Sequence, residues 1–232
     1  MTRQTNSRIA GATFLVYIAA GLTSLAISGR AVSGEGIAAK LAGYAEHATG
    51  VRISFILSLL SSFCALVLAV TLYAITRDED SDLAMLGMVC RVGEGVGGAL
   101  PVSLGLLWLA TASGSDAPDT ATAHALGRFL QKVGGWQTLT AATLFAVGST
   151  LFSWLLLRGR MIPVGLAWLG VLASILLVVT LPLQLAGFFS GRFFDLIWIP
   201  MALFEIVLAL WLIIKGAAPP AKHVPVGAIA AA

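Results

Sequence analysis

The run VGLAWLGVLASILLVVTLPLQLAGF, residues 164–188, contains no charged side chain. Roughly 20 apolar residues are needed for a helix to cross the hydrocarbon of a bilayer, so this run is long enough to span. It is also apolar on every face, which a helix half-buried against a soluble core would not be. Five further stretches read the same way: residues 9–28, 53–76, 83–112, 134–157 and 196–214. Together they predict an all-α polytopic membrane protein, a bundle of six transmembrane helices.

Composition agrees. The chain is 58% hydrophobic and 11% charged, with a mean hydropathy of +0.94. Soluble domains carry about 25% charged residues, so much of this surface must face lipid. With 232 residues there is no room for a large domain beside six spans. One transmembrane domain is expected over 1–216, and an Ala/Pro-rich flexible tail over 217–232. The net charge of +3 is ordinary for basic residues at helix ends and does not point to nucleic acid. Cys64 and Cys90 lie in apolar runs and behave as small hydrophobes.

The first stretch also resembles a signal peptide, because Arg3 and Arg8 precede it and Ser24-Leu25-Ala26 would suit cleavage. Its length favours a retained helix. The third stretch is longer than a membrane requires, and Pro101 in its middle predicts a kink. Pro163 is placed to open the fifth helix, Pro182 and Pro200 fall near helix ends, and Pro219-Pro220 is expected to stop the sixth.

Orientation follows from basic residues in short connections. Arg3, Arg8, Arg77, Arg158, Arg160, Lys215 and Lys222 fall on the side of the N-terminus; Arg30, Lys40, Arg52, Arg128, Lys132 and Arg192 fall on the other. The first set crowds tight loops, which predicts both termini in the cytoplasm of a bacterial inner membrane. Two outward connections, 36–48 and 122–133, carry apolar residues at helical spacing: Ile37, Leu41 and Tyr44 in one, Leu126, Phe129, Leu130 and Val133 in the other. They predict two short helices in the outer interface. The simpler reading makes them linkers; the sharper one makes them a lid over a cavity.

Ionisable residues at membrane depth are costly and ask for partners. Arg91 and Glu94 share a helix face at a spacing of three, a face continued by Gly87, Gly98, Pro101 and Gly105. Gly93 and Gly97 form a GxxxG pair beside it. The plain reading is a packing seam with a self-neutralising ion pair, or an Arg91 that snorkels to the interface. Glu205 has only Met201, Ala202, Leu208 and Ala209 around it on its own helix. Arg91 is the cation at similar depth, so the three are expected to form one charge cluster. Two carboxylates around one guanidinium leave a surplus negative charge, which raises a proton-linked role as a minor alternative.

Four segments carry a family resemblance: Arg8-Ile9-Ala10-Gly11, Arg91-Val92-Gly93-Glu94, Arg158-Gly159-Arg160-Met161-Ile162-Pro163, and Glu205 with Leu208-Ala209-Leu210-Trp211 and Lys215-Gly216. In these the chain resembles the bacterial family catalogued as domain of unknown function 4386. That resemblance implies a six-helix membrane protein and no particular activity.

The chemistry-bearing patterns are sparse. His47, His124 and His223 all lie outside the spans, which argues against intramembrane haem, zinc or Ser–His chemistry. Asp195 has no aspartate mate, and no phosphate-binding loop occurs. The expected function is a non-catalytic accessory, assembly or lipid- or protein-binding subunit, with no cofactor or metal. Its expected partners are membrane lipids, other membrane subunits or a second copy of itself. The alternative is a small-solute or proton-linked transporter or channel that uses Arg91, Glu94 and Glu205. Against it, the outer halves of the third and sixth stretches look almost wholly apolar.

Overall fold

The computed structural model describes residues 2–114, 117–188 and 196–221. Arg192, Asp195 and the chain from Lys222 onward therefore lie outside the described residues. Those described form helices and no strands: α1 (Arg3–Ala31), α2 (Gly36–Glu46), α3 (Ala48–Thr76), α4 (Ser81–Gly98), α5 (Val102–Thr111), α6 (Thr120–Arg158), α7 (Val164–Leu185) and α8 (Ile199–Ile214). Counting α4 and α5 as one, five are long and apolar enough to cross a membrane, and α8 is a shorter apolar helix.

Six of these helices close into a ring in which each packs on the next: α1 on α3, α3 on α4, α4 on α6, α6 on α7, α7 on α8, and α8 back on α1. Around half the ring interior the packing is dense and apolar. Leu68, Leu72 and Ile75 of α3 meet Phe152 and Leu156 of α6, Leu177 of α7, and Leu208 and Leu212 of α8. This core runs from Met161 and Leu212, near the end that carries the N-terminus, to Leu181 and Ile197 toward the other.

That end is closed by polar contacts as well. Arg3 pairs with Asp78 at 2.6 Å, and Arg158 pairs with Glu79 at 2.9 Å and Asp80 at 3.2 Å. Gly216, at φ +76°, ends α8 in a left-handed turn whose N–H bonds back to the Trp211 carbonyl. The helix thus stops before Pro219-Pro220 rather than at it. Beyond the turn the Ala217 N–H donates to the Ser7 hydroxyl at 3.1 Å, and the Ala218 N–H donates to the Met161 carbonyl at 2.9 Å. Residues 217–221 are accordingly docked on the bundle, where the sequence predicts the start of a free tail.

Two other expectations change. The third stretch is broken, not merely bent: α4 ends at Gly98 and α5 starts at Val102. Pro101 supplies no N–H and its ring would strike the carbonyl four residues back, and the Gln137 amide caps that freed Gly97 carbonyl at 2.8 Å. Residues 122–133 are helical but not a separate interfacial helix. They run without interruption into the fourth span as α6, about 58 Å long by helical rise. Gly134 and Gly135 at the junction keep helical backbone, and Gly134 lets Val102 approach. At the start of α6 Asp119 caps the first turn; the Thr122 N–H and hydroxyl hold its carboxyl below the usual carboxylate range. The first expected short helix does stand alone as α2, with Ile37, Leu41 and Tyr44 packed on Leu106, Leu109 and Leu130 of α5 and α6.

Candidate functional site: a polar cavity floored by buried charges

Arg91 and Glu94 are both on α4, one turn apart, and their side chains meet at 2.8 Å. Arg91 is 1% exposed, and Glu94 and Glu205 are each 6% exposed. Arg91 therefore does not snorkel. Its aliphatic stem passes over Gly148 of α6, where an added Cβ would stand 3.3 Å from Cγ. Its guanidinium carbon lies 4.8 Å from the ring centre of Phe145 and 5.7 Å from that of Phe14. Such aromatic faces stabilise a desolvated cation by about 1–2 kcal/mol each.

Glu205 of α8 approaches from the other side, with its Oε1 3.9 Å from the Arg91 Nη2. That is an ion-pair distance but too long for a hydrogen bond, and Glu205 Oε1 has no hydrogen-bond partner among the described residues. Glu94 is better served. Its Oε2 accepts from Arg91, and its Oε1 accepts from the Tyr17 hydroxyl of α1 at 2.7 Å. The three residues read from sequence are thus brought together, and Tyr17 joins them. Sequence reasoning passes over Tyr17 because a tyrosine in a span is unremarkable by itself.

The glycine stripe splits between two neighbours. Gly87, Gly93 and Gly97 face Phe152, Leu144 and Ala141 of α6, while Gly95 and Gly98 face Ser62 of α3. The small residues do form packing seams, as expected. Between them the ring leaves a cavity of about 660 Å³. Glu94 and Tyr17 are at its floor, and Lys40 and Tyr44 of α2 line it at the far end.

Serines supply much of its wall: Ser24 and Ser28 from α1, Ser58, Ser61 and Ser62 from α3. Where α1 crosses α3, the Ser24 and Ser54 hydroxyls each donate to the other's carbonyl, at 2.9 and 3.1 Å. Two buried polar groups in the wall, the Ser61 hydroxyl and the Gln137 Oε1 acceptor, have no partner among the described residues. The polar wall is therefore carried mainly by the first, second and fourth stretches, with Glu94 and Ser103 added from the third. Helix α2 lines the cavity through Lys40 and Tyr44.

Set against known proteins, the chain matches no curated protein and no solved structure. A family model described as "Domain of unknown function (DUF4386)" matches residues 9–216, a span that takes in all of the ring but the first turns of α1, together with Arg91, Glu94 and Glu205. The chain is an integral membrane protein and belongs to the DUF4386 family.

Proposed function

We propose that this protein is a non-catalytic binding subunit of the bacterial inner membrane, holding a small solute or lipid headgroup in the cavity above Glu94. The observation that carries this reading is the cavity itself. A volume of about 660 Å³ is in the usual range for small-molecule sites, and its floor is an ion pair sealed from the opposite end by the apolar core. The reading has six spans, α8 serving as the last because it closes the ring between α7 and α1. An even number of crossings returns the chain to its starting side, and the contact of Ala217 with Ser7 supports that. Arg3, Arg77, Arg158, Arg160 and Lys215 at this end favour the cytoplasm.

The test is gentle purification followed by mass spectrometry of what stays bound, on wild type and on Ser58→Trp, which fills the cavity. Wild type is expected to retain a stoichiometric small molecule that Ser58→Trp loses. Equal retention by the two proteins would count against a ligand in this cavity. A second reading, transport of the same solute, is favoured by the α4–α5 break beside the cavity; it requires the core to open, and flux into reconstituted liposomes separates it from binding alone.

A further inference from the structure

We propose that the cavity binds an organic ammonium ion, its charged nitrogen on Glu94, in exchange for a proton held on Glu205. The proposal rests on the reading of the cavity as a binding site and names the class of ligand and the charge it displaces.

The argument begins with charge. One guanidinium and two carboxyl groups are packed together, each at least nine-tenths buried. Among the described residues, no other titratable group except the Tyr17 phenol faces them. The stretch of α6 beside them offers Phe145 and Gly148, α7 has no ionisable residue along its length, and α3 offers Ser61, Ser62 and Ala65. With both carboxyls ionised, the cluster would carry an uncompensated negative charge inside a membrane. Burying such a charge is strongly disfavoured, so the empty protein must bind one more positive charge.

Geometry decides which carboxyl holds it. Glu94 accepts two hydrogen bonds, from Arg91 and Tyr17, and both favour its ionised form. Glu205 accepts none at Oε1 and meets Arg91 only at 3.9 Å. The proton therefore belongs to Glu205, which lies outside the cavity.

The cavity wall describes the ligand. Its unpartnered groups are the Gln137 Oε1 acceptor and the Ser61 hydroxyl, which can accept as well as donate, and its floor is a carboxylate. Tyr17, Phe145 and Trp198 add aromatic faces. A carboxylate floor, π faces and these acceptors suit a group that is cationic and rich in donors, whereas a carboxylate or phosphate would meet the Glu94 carboxylate first; the unpartnered Arg91 Nε belongs to a side chain that does not line the cavity. Lys40, the basic lining residue among those described, is on α2, which packs beside Ala31, about 20 Å up α1 from Tyr17 by helical rise. Part of the remaining wall, including Leu25, Phe55, Leu100 and Leu106, is apolar and fits a hydrocarbon body rather than a bare inorganic ion.

Binding and proton release are then one event. An ammonium on Glu94 competes with Arg91, and the guanidinium needs to move only about 1 Å toward Glu205 to match its present 2.8 Å contact with Glu94. Glu205 loses its proton to bulk water as it gains that partner. Both carboxylates end up paired, the ammonium with Glu94 and Arg91 with Glu205, and no surplus charge remains. Because a proton leaves on binding, affinity must rise with pH, by up to about tenfold per unit.

The experiment is calorimetric titration of the full chain in detergent with phenylbutylammonium, the matching alcohol, the matching carboxylate, and sodium. The amine is expected to bind with about one proton released, read from buffers of different ionisation enthalpy. Glu205→Gln should bind the amine more weakly and without pH dependence, and Glu94→Gln should not bind it. If Glu94→Gln does not fold, the comparison of ligands on wild type still decides. Equal or tighter binding of the alcohol, the carboxylate or sodium overturns the ammonium assignment while leaving the cavity reading intact. Amine binding without proton release overturns the exchange. Failure of all four probes overturns the proposal, and the retained-solute comparison then judges the cavity separately.

Discussion

Replacing Arg91 by alanine is expected to destabilise the protein by about 3–5 kcal/mol, the range for removing one partner of a buried ion pair. The cost comes less from the lost attraction than from what remains. Glu94 and Glu205 are each 6% exposed and would be left without a cation. A double-mutant cycle separates the partners. Arg91→Ala with Glu94→Gln should show the larger coupling, since that pair meets at 2.8 Å; the pair with Glu205, at 3.9 Å, should show a smaller one. Replacing all three by apolar or neutral residues of similar size should recover most of the loss, because no charge is then stranded. Unfolding in mild detergent reads these differences. Strictly additive losses would mean that the three side chains do not act as a cluster.

The closure of the ring predicts the second large effect. Gly11 is where α1 meets α8: an added Cβ would stand 2.5 Å from the Ala209 carbonyl oxygen and 2.7 Å from Ile213 Cγ1. The Ile213 side chain could turn aside, but the carbonyl belongs to a helix backbone and cannot. Gly11→Ala should therefore push the first and last helices apart, at a cost of about 1–3 kcal/mol, with Gly11→Val costing more. Gly135 makes the contrast. It also lies within a helix but has nothing within 4 Å of its would-be Cβ, so Gly135→Ala should stabilise by about 0.5–1 kcal/mol. Thermal unfolding of the two variants side by side checks the sign. Gly11→Ala matching wild type would put the α1–α8 contact in doubt.

These residues also show what can be read from the chain alone. The apolar stretches are legible because bilayer thickness imposes a length and excludes charge, and neither depends on tertiary contacts. Arg91 and Glu94 are legible because a spacing of three places them on one helical face. Their meeting with Glu205 follows by elimination, since membrane burial leaves few candidates for a partner. The order of helices around the ring is not legible. Spans this apolar on every face give no periodicity to say which side meets a neighbour.

The cavity escapes for a related reason. Its polar wall is divided among Ser24, Ser58, Gln137 and Tyr17, on three different helices, and none of these breaks an apolar run. The second interfacial helix is misread because Gly134-Gly135 looks like a boundary, whereas packing against Val102 keeps that backbone helical. Gly11 and Gly148 are equally silent in sequence. Each matters through the atom that occupies the place of its missing side chain, the Ala209 carbonyl oxygen in one case and Arg91 Cγ in the other.

The central claim is that a polar cavity runs from α2 to the Tyr17–Glu94 floor and is sealed from the opposite end. Tyr17→Cys, in a chain with Cys64→Ser and Cys90→Ser, tests it most directly, because it leaves the Arg91–Glu94 pair in place. A small, charged, membrane-impermeant thiol reagent is applied to right-side-out and to inverted vesicles. The account predicts modification of the introduced thiol from the α2 side and none from the side that carries Arg3 and Arg158. Modification from the Arg3 side, or from neither side, would contradict it.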